Sequence, residues 1–207
     1  VSNIVFSSSA CVYLPNDSGI YRESDLLNED NNYYAYTKLR AEEALVDIKM
    51  HSPGVNICIL RYFNPVSVGS LFVDESIKIN NLFPTIANCI KTNKPLVVYG
   101  DTHDTPDGTP IRDYLHVEDL VSVHILILKD NHIYPRVRVF NVGTGRGYSV
   151  KEVIDEFNNQ IKEPLKIKYA DKNIGDSPVL IACADKITQT YNWIPKHALP
   201  DMVSGTC

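Results

Sequence analysis

Two periods of hydrophobic spacing alternate along this 207-residue chain. Short unbroken apolar runs read as buried strands, and longer stretches with apolar residues three and four apart read as helices. Asn3–Phe6 is a short β-branched run, as a buried parallel strand requires. From Tyr33 to about Met50 the period is helical. Leu39, Ala41, Ala44, Leu45 and Ile48 supply an apolar stripe, and charges occupy the other face. His51-Ser52-Pro53-Gly54 ends that helix, and Val55–Leu60 is the next buried strand. Strand, helix, strand at this spacing predicts a βαβ crossover and a parallel sheet.

Beyond Pro65 the alternation loosens. A helix is expected from Asn80-Asn81-Leu82 through Ile90, a strand at Leu96–Tyr99 and a turn-rich loop over Asp101–Pro110. A second helix follows over Glu118–Leu128, and a strand over Val137–Val142. Gly143-Thr144-Gly145-Arg146-Gly147 has neither a P-loop ending nor the spacing of a dinucleotide fingerprint, so it reads as a glycine-rich turn. Ser149 and Glu152 form a capping box for a helix to about Gln160. A strand at Leu165–Tyr169 and a helix from about Asp185 to Asn192 complete the pattern. Val1 runs directly into the first strand, and the chain stops soon after Trp193 with no closing amphipathic helix. Both ends suggest a piece of a longer protein.

Composition narrows the class. The chain is 44% hydrophobic and 22% charged, which is globular. A net charge of −5 without a Lys/Arg cluster argues against nucleic acid or an anionic membrane as partner. The longest apolar run, Leu120–Leu128, is broken by Ser122 and His124 and is too short to cross a bilayer. Five cysteines without Cys-x-x-Cys spacing read as free thiols in a reducing cytosol, three of them inside apolar segments. No cysteine or histidine pair has ligand spacing, so no metal is expected.

The candidate chemistry centres on Tyr34 and Lys38. Four residues apart on a helix, they present a phenol and an ammonium on one face. A phenol alone is a weak base at neutral pH, and a fixed cation beside it favours the phenolate. That pairing suits proton removal from an alcohol as hydride leaves the same carbon. Tyr-x-x-x-Lys also occurs on helices with no such role. Here Ser7, Ser8 and Ser9 follow the first strand and Asn64 follows the second, and ligands of open α/β sheets bind beyond strand ends.

Five motifs in register, Ser7-Ser8-Ser9-Ala10-Cys11-Val12-Tyr13, Tyr34-x-x-x-Lys38, Arg61-Tyr62-Phe63-Asn64-Pro65, Asn80-Asn81-Leu82 and Asp107 through Val117, resemble the UDP-glucose 4-epimerase family. These are extended short-chain dehydrogenases/reductases, and the match runs from near residue 1 to about Asp185. The resemblance implies an α/β fold: the C-terminal part of a Rossmann-type doubly wound parallel sheet over 1–65, then a smaller α/β substrate domain over 66–207, from which segments such as 111–130 return to the Rossmann part. It implies a cytoplasmic enzyme of galactose metabolism, homodimeric at full length by packing of helices that include the Tyr34 helix. It also implies tightly bound NAD, which takes a hydride from C4 of a UDP-sugar and returns it to the other face of a 4-keto sugar.

By the same resemblance, Tyr34 is the acid/base at the 4-hydroxyl, Lys38 holds the nicotinamide ribose and Ser9 bonds the reacting oxygen. Ser7, Ser8 and Phe63 fall at cofactor positions. Asn64, Asn81, Leu82, Val97, Val98 and Tyr99 fall where the uridine diphosphate is held, with Arg112 on the diphosphate and Asp176 as a substrate-side carboxylate. Arg112 could instead pair with Asp113 or Asp107, and Tyr99 could be core. Tyr36 reads as packing, and His116 and His124 as structural.

Three departures stand out. The family's dinucleotide fingerprint belongs to sheet strands that come before Asn3–Phe6 in chain order. Val66–Ile79 is short and lacks the usual pattern. Lys172-Asn173-Ile174 stands where the family carries an arginine, and Val179–Cys183 reads as a small insertion. Two rival functions remain. One is a nucleotide-sugar dehydratase or decarboxylase on the same scaffold; dehydratases usually follow the strand with Thr-Asp-Glu, whereas Ser8-Ser9-Ala10 stands in this chain. The other is a non-catalytic fragment that binds a nucleotide sugar or a partner.

Overall fold

Asn32 starts the first long helix, its side chain accepting from the Ala35 N–H at 2.8 Å, and the helix closes where the Ser52 N–H meets the Ile48 carbonyl. The computed structural model describes residues 1–28, 32–66, 81–130, 132–173 and 175–206. Most of the Val66–Ile79 departure, Asn80, Ile174, Cys207 and the end of the acidic loop at Glu29 and Asp30 lie outside the described residues.

The first half runs β1 (Asn3–Ser9), β2 (Ile20–Tyr21), α1 (Tyr33–His51), β3 (Asn56–Tyr62), β4 (Asn64–Val66), α2 (Leu82–Thr92) and β5 (Leu96–Tyr99), with a 3-10 turn at Ala10–Val12. Next come β6 (Ile111–Arg112), β7 (Tyr114–His116), α3 (Val117–Lys129), β8 (Arg138–Val142), β9 (Tyr148–Ser149) and α4 (Val150–Gln160). Then follow β10 (Ile167–Ala170), β11 (Val179–Ala182), α5 (Asp185–Tyr191) and α6 (Leu199–Ser204).

The fold is mixed α/β with a parallel sheet at its centre. β3 lies between β1 and β8, all three parallel, with Ser7 opposite Leu60 and Tyr62 opposite both Ser9 and Val142. Side chains alternate across β3, so Cys58 and Leu60 join a core with Leu120, Val123 and Ile127 of α3 while Arg61 points the other way, to α1. A second core unites Phe83 and Ile86 of α2, Leu96 and Val98 of β5, and Val153, Ile154 and Phe157 of α4. β2, β11, β6 and β9 form a mixed sheet, in which only the β6–β9 pair is antiparallel.

The structure corrects several expectations. β1 is half-buried rather than buried, because β3 is its only strand partner among the described residues. In α1 the residues that face inward are Ala35, Leu39, Glu42 and Lys49, whereas Ala44 and Ile48 are exposed. The charged residues turn inward because the sheet offers partners: Arg61 for Glu42, and the Pro53 and Val55 carbonyls for Lys49 at 2.6 and 2.8 Å. Tyr36 does not pack inside; it stacks on Tyr33 and lies under the Arg40 guanidinium at the surface. Val179–Ala182 is a strand within the fold, β11, which pairs with β2 on one side and β6 on the other. A closing helix does exist: α6 buries Leu199, Met202 and Val203 against the second core.

Of the cysteines, Cys58 and Cys89 are buried and Cys11 and Cys183 half-buried. Burial pushes the Cys58 thiol up to about 12. No helix among the described residues is long and apolar enough to cross a membrane.

Candidate active site

The C-terminal end of β1 meets the first turns of α1. Lys38 donates from Nζ to the Ser7 carbonyl at 2.8 Å, and the same ammonium sits 5.4 Å from the centre of the Tyr34 ring and 5.2 Å from that of Phe6. Tyr34 itself is 55% exposed. A phenol, a cation held beside it and a serine-rich strand end therefore converge on an open surface. Ser9 caps the 3-10 turn, its Oγ accepting from the Cys11 N–H at 3.3 Å.

Ser8 goes elsewhere. Its hydroxyl is buried and donates to Glu42 Oε1 at 2.5 Å, inside a network in which Arg61 grips Glu42 at two points and reaches Tyr13, whose hydroxyl donates to Asn141. Burial raises the Tyr13 phenol to about 12, so it stays a donor. The Ser8 side chain is thus structural. Glu42 was hidden in the sequence by its place among exposed helix charges; its one signal is the seven-residue step from Ala35 through Leu39, which puts it on the buried face.

Phe63 is buried with Ala10, Val12, Tyr13 and Leu39, beside the Tyr34 helix. Asn64 holds the Asp113 carbonyl through its backbone, and its side-chain Oδ1 is buried without a hydrogen-bond partner among the described residues. A buried acceptor left alone is costly, so it marks a place where a donor is wanted. Asn81 is exposed at the start of α2, and Leu82 is half-buried. In β5 the alternation divides the three expected contacts: Val97 and Tyr99 face outward, Tyr99 at 53% exposure, while the Val98 side chain is in the core at 3%. Val98 can therefore offer a ligand only its backbone.

Arg112 pairs with neither Asp113 nor Asp107 but with Asp176, through Nη2 and Oδ1. Asp113 is wholly buried and receives the Thr144, Gly145 and Ala182 N–H groups and the Thr144 hydroxyl. Burial pushes its carboxyl up, against these four donors. Asp107 is pulled down: burial opposes ionisation, but the Ser149 and Thr109 hydroxyls and the Thr109 N–H outweigh it. The Gly143–Gly147 segment is a turn wrapped on Asp113, and a Cβ at Gly143 would lie 2.5 Å from Asp113 Oδ2. The capping box of Ser149 and Glu152 is present.

His116, Glu118 and His197 bring potential ligand atoms within 4.8 Å of one another. The two imidazoles stack at 3.9 Å and 16°, so their in-plane lone pairs run side by side instead of converging on one ion. His116 Nδ1 also accepts the Glu118 N–H, which leaves the hydrogen on Nε2. The cluster is poorly arranged for a metal.

The sequence model of the NAD dependent epimerase/dehydratase family matches residues 1–143. The chain belongs to this family. Among similar members, the UDP-glucose 4-epimerase of Yersinia pestis is 37% identical over 210 residues, covering 100% of this chain and 62% of its own length. Solved structures agree: the UDP-glucose 4-epimerase of Bifidobacterium longum in complex with NAD+ and UDP superposes with a TM-score of 0.88 at 36% identity. That from Stenotrophomonas maltophila, with bound NAD and formylated UDP-arabinopyranose, gives 0.88 at 33%. Each structure is matched over 100% of this chain and 62% of its own. This family member thus spans 62% of the length of these relatives.

Proposed function

We propose that this chain carries the acid/base and substrate-binding parts of an NAD-dependent UDP-glucose 4-epimerase, interconverting UDP-galactose and UDP-glucose. The observation that carries the reading is the Lys38 ammonium held between the Ser7 carbonyl and the Tyr34 ring. Tyr34 moves the proton at the sugar 4-hydroxyl, Lys38 sets a cation beside its ring, and Ser9 holds the same oxygen. NAD, when bound, supplies a hydride acceptor at C4 and returns the hydride. The donor set suits it: an ammonium has three N–H groups, one is committed to Ser7, and two remain for ribose hydroxyls. Ser7 and Phe63 complete that side.

Substrate recognition falls to the second half. The unsatisfied Asn64 Oδ1 takes a ligand donor, and the outward Val97 and Tyr99 give uracil an apolar and aromatic wall. Asn81 and Leu82 border it, and Arg112 meets the diphosphate in place of, or shared with, Asp176. The division into a Rossmann part over 1–65 and a substrate part over 66–207, with 111–130 returning to the first, fits the pairing of β8 with β3 if the returning segment extends to Val142. Exposed Tyr33, Tyr36, Val46, Ile48 and Met50 on α1 support a homodimer through that helix. A cytoplasmic place in galactose metabolism follows from this reading.

The test is conversion of UDP-galactose to UDP-glucose with added NAD, alongside thermal melts with UDP. Tyr34→Phe should lower kcat by about 10²–10⁴-fold without changing the melt. Equal rates in both proteins would sink the assignment of Tyr34. Stabilisation by UDP with no turnover would favour a non-catalytic nucleotide-sugar-binding role.

A further inference from the structure

One side chain on each of β1, β3 and α3 lies in a single line of hydrogen bonds. The Leu120 carbonyl can only accept, so His124 Nδ1, 2.9 Å away, carries the hydrogen. In the neutral ring Nε2 is then a lone pair, and it lies 2.6 Å from the Tyr62 hydroxyl. Tyr62 therefore donates to His124. Its one hydrogen being used, it accepts from Ser7 Oγ at 2.8 Å. Desolvation keeps the Tyr62 phenol protonated by pushing it up. One backbone carbonyl thus fixes the direction of every bond out to Ser7.

Ser7 is also the residue whose carbonyl receives Lys38. It sits near the end of a strand that has a single strand partner among the described residues, and it is exposed. The bond through Tyr62 to α3 gives that strand end a second support, from the face opposite α1. We infer that His124 and Tyr62 are positioning residues for the Lys38–Tyr34 pair, acting through Ser7. Neither touches the pair directly. The kinetic part of this inference rests on the epimerase reading.

The test uses Tyr62→Phe, His124→Leu and the double variant, with His124→Gln as a second probe of the histidine should His124→Leu fail to fold. Each single change should lower kcat by roughly tenfold with KM for UDP-galactose unchanged. The double variant should fall no further, because both substitutions cut the same line. A readout free of turnover accompanies it: the 13C-dimethyl resonance of Lys38 after reductive methylation, on samples used for spectroscopy only. That resonance should move in each variant relative to the unsubstituted protein. Turnover with an unmoved Lys38 signal, or additive losses in the double variant, overturns the positioning role. A moved signal in a protein that does not epimerise overturns the epimerase reading and leaves the positioning role standing.

Discussion

Arg61 on β3 holds Glu42 on α1 by two bonds in the protein interior, Nη2 to Oε2 at 2.6 Å and Nε to Oε1 at 3.1 Å. The pair is the fastener between the central strand and the helix that carries Tyr34 and Lys38. Glu42→Gln keeps the shape but leaves a buried guanidinium without its counter-charge. It should cost about 3–5 kcal/mol in urea unfolding. Replacing both partners with apolar residues, as in Glu42→Leu with Arg61→Met, should recover much of that loss. Additive losses in the double variant would show that the pair is not a coupled unit.

Acid should loosen the start of α3. His116 Nδ1 accepts the Glu118 N–H, so protonation would turn an acceptor into a second donor, at a helix end that already disfavours a cation. Burial and the stacked His197 lower the His116 affinity for protons. The unfolded chain therefore binds more protons than the folded one between the depressed folded value and about 6.5, and stability rises with pH across that window. The melting temperature should be lower at pH 5.5 than at pH 7.5. His116→Asn, which caps without titrating in that range, should flatten the difference; an unchanged pH slope would remove His116 as the cause.

Gly143 is a packing glycine. A Cβ there would stand 2.5 Å from Asp113 Oδ2 and 2.6 Å from the Ala182 Cβ, both fixed by their own bonds. Gly143→Ala should destabilise by about 1–3 kcal/mol through overpacking. At Gly54 nothing lies within 4 Å, so Gly54→Ala serves as the control in the same melts. Equal melts for the two variants would refute the packing reading.

Arg112 is engaged by Asp176, and the proposed diphosphate contact must compete with that pair. Arg112→Gln should weaken UDP binding by about tenfold, the loss of one charge-assisted contact. Asp176→Asn frees the guanidinium and should strengthen UDP binding in isothermal titration. A weaker UDP complex in that variant would instead mean that Asp176 contacts the ligand itself.

The sequence made local structure legible and left tertiary partnerships hidden. The end of the Tyr33 helix could be read because Ser52, Pro53 and Gly54 punctuate it by local chemistry. Which of its faces turns inward could not be read, because burial of Glu42 depends on Arg61, and their meeting is set by the crossover. Val179–Ala182 offers four apolar residues with no alternation, and its strand character comes from β2 and β6, distant in sequence. α6 is six residues long with Pro200 inside its first turn, below the length at which periodicity speaks. The phenol–ammonium pair was legible since helical spacing alone brings Tyr34 and Lys38 together. The line from Ser7 through Tyr62 to His124 spans three elements and has no spacing signature.

The burial of Asp113 has a consequence for the order of folding. Its carboxylate gathers N–H groups from Thr144 and Gly145, 31 and 32 residues away, and from Ala182, 69 residues away. Each loop must close onto that one side chain, spending chain entropy, before its own bonds can form. That knot should tighten after the rate-limiting step, so Asp113→Asn should speed unfolding far more than it slows refolding in stopped-flow chevrons. Asp113 would then act less as a seed of the structure than as its clasp, setting how long the folded molecule lasts once made.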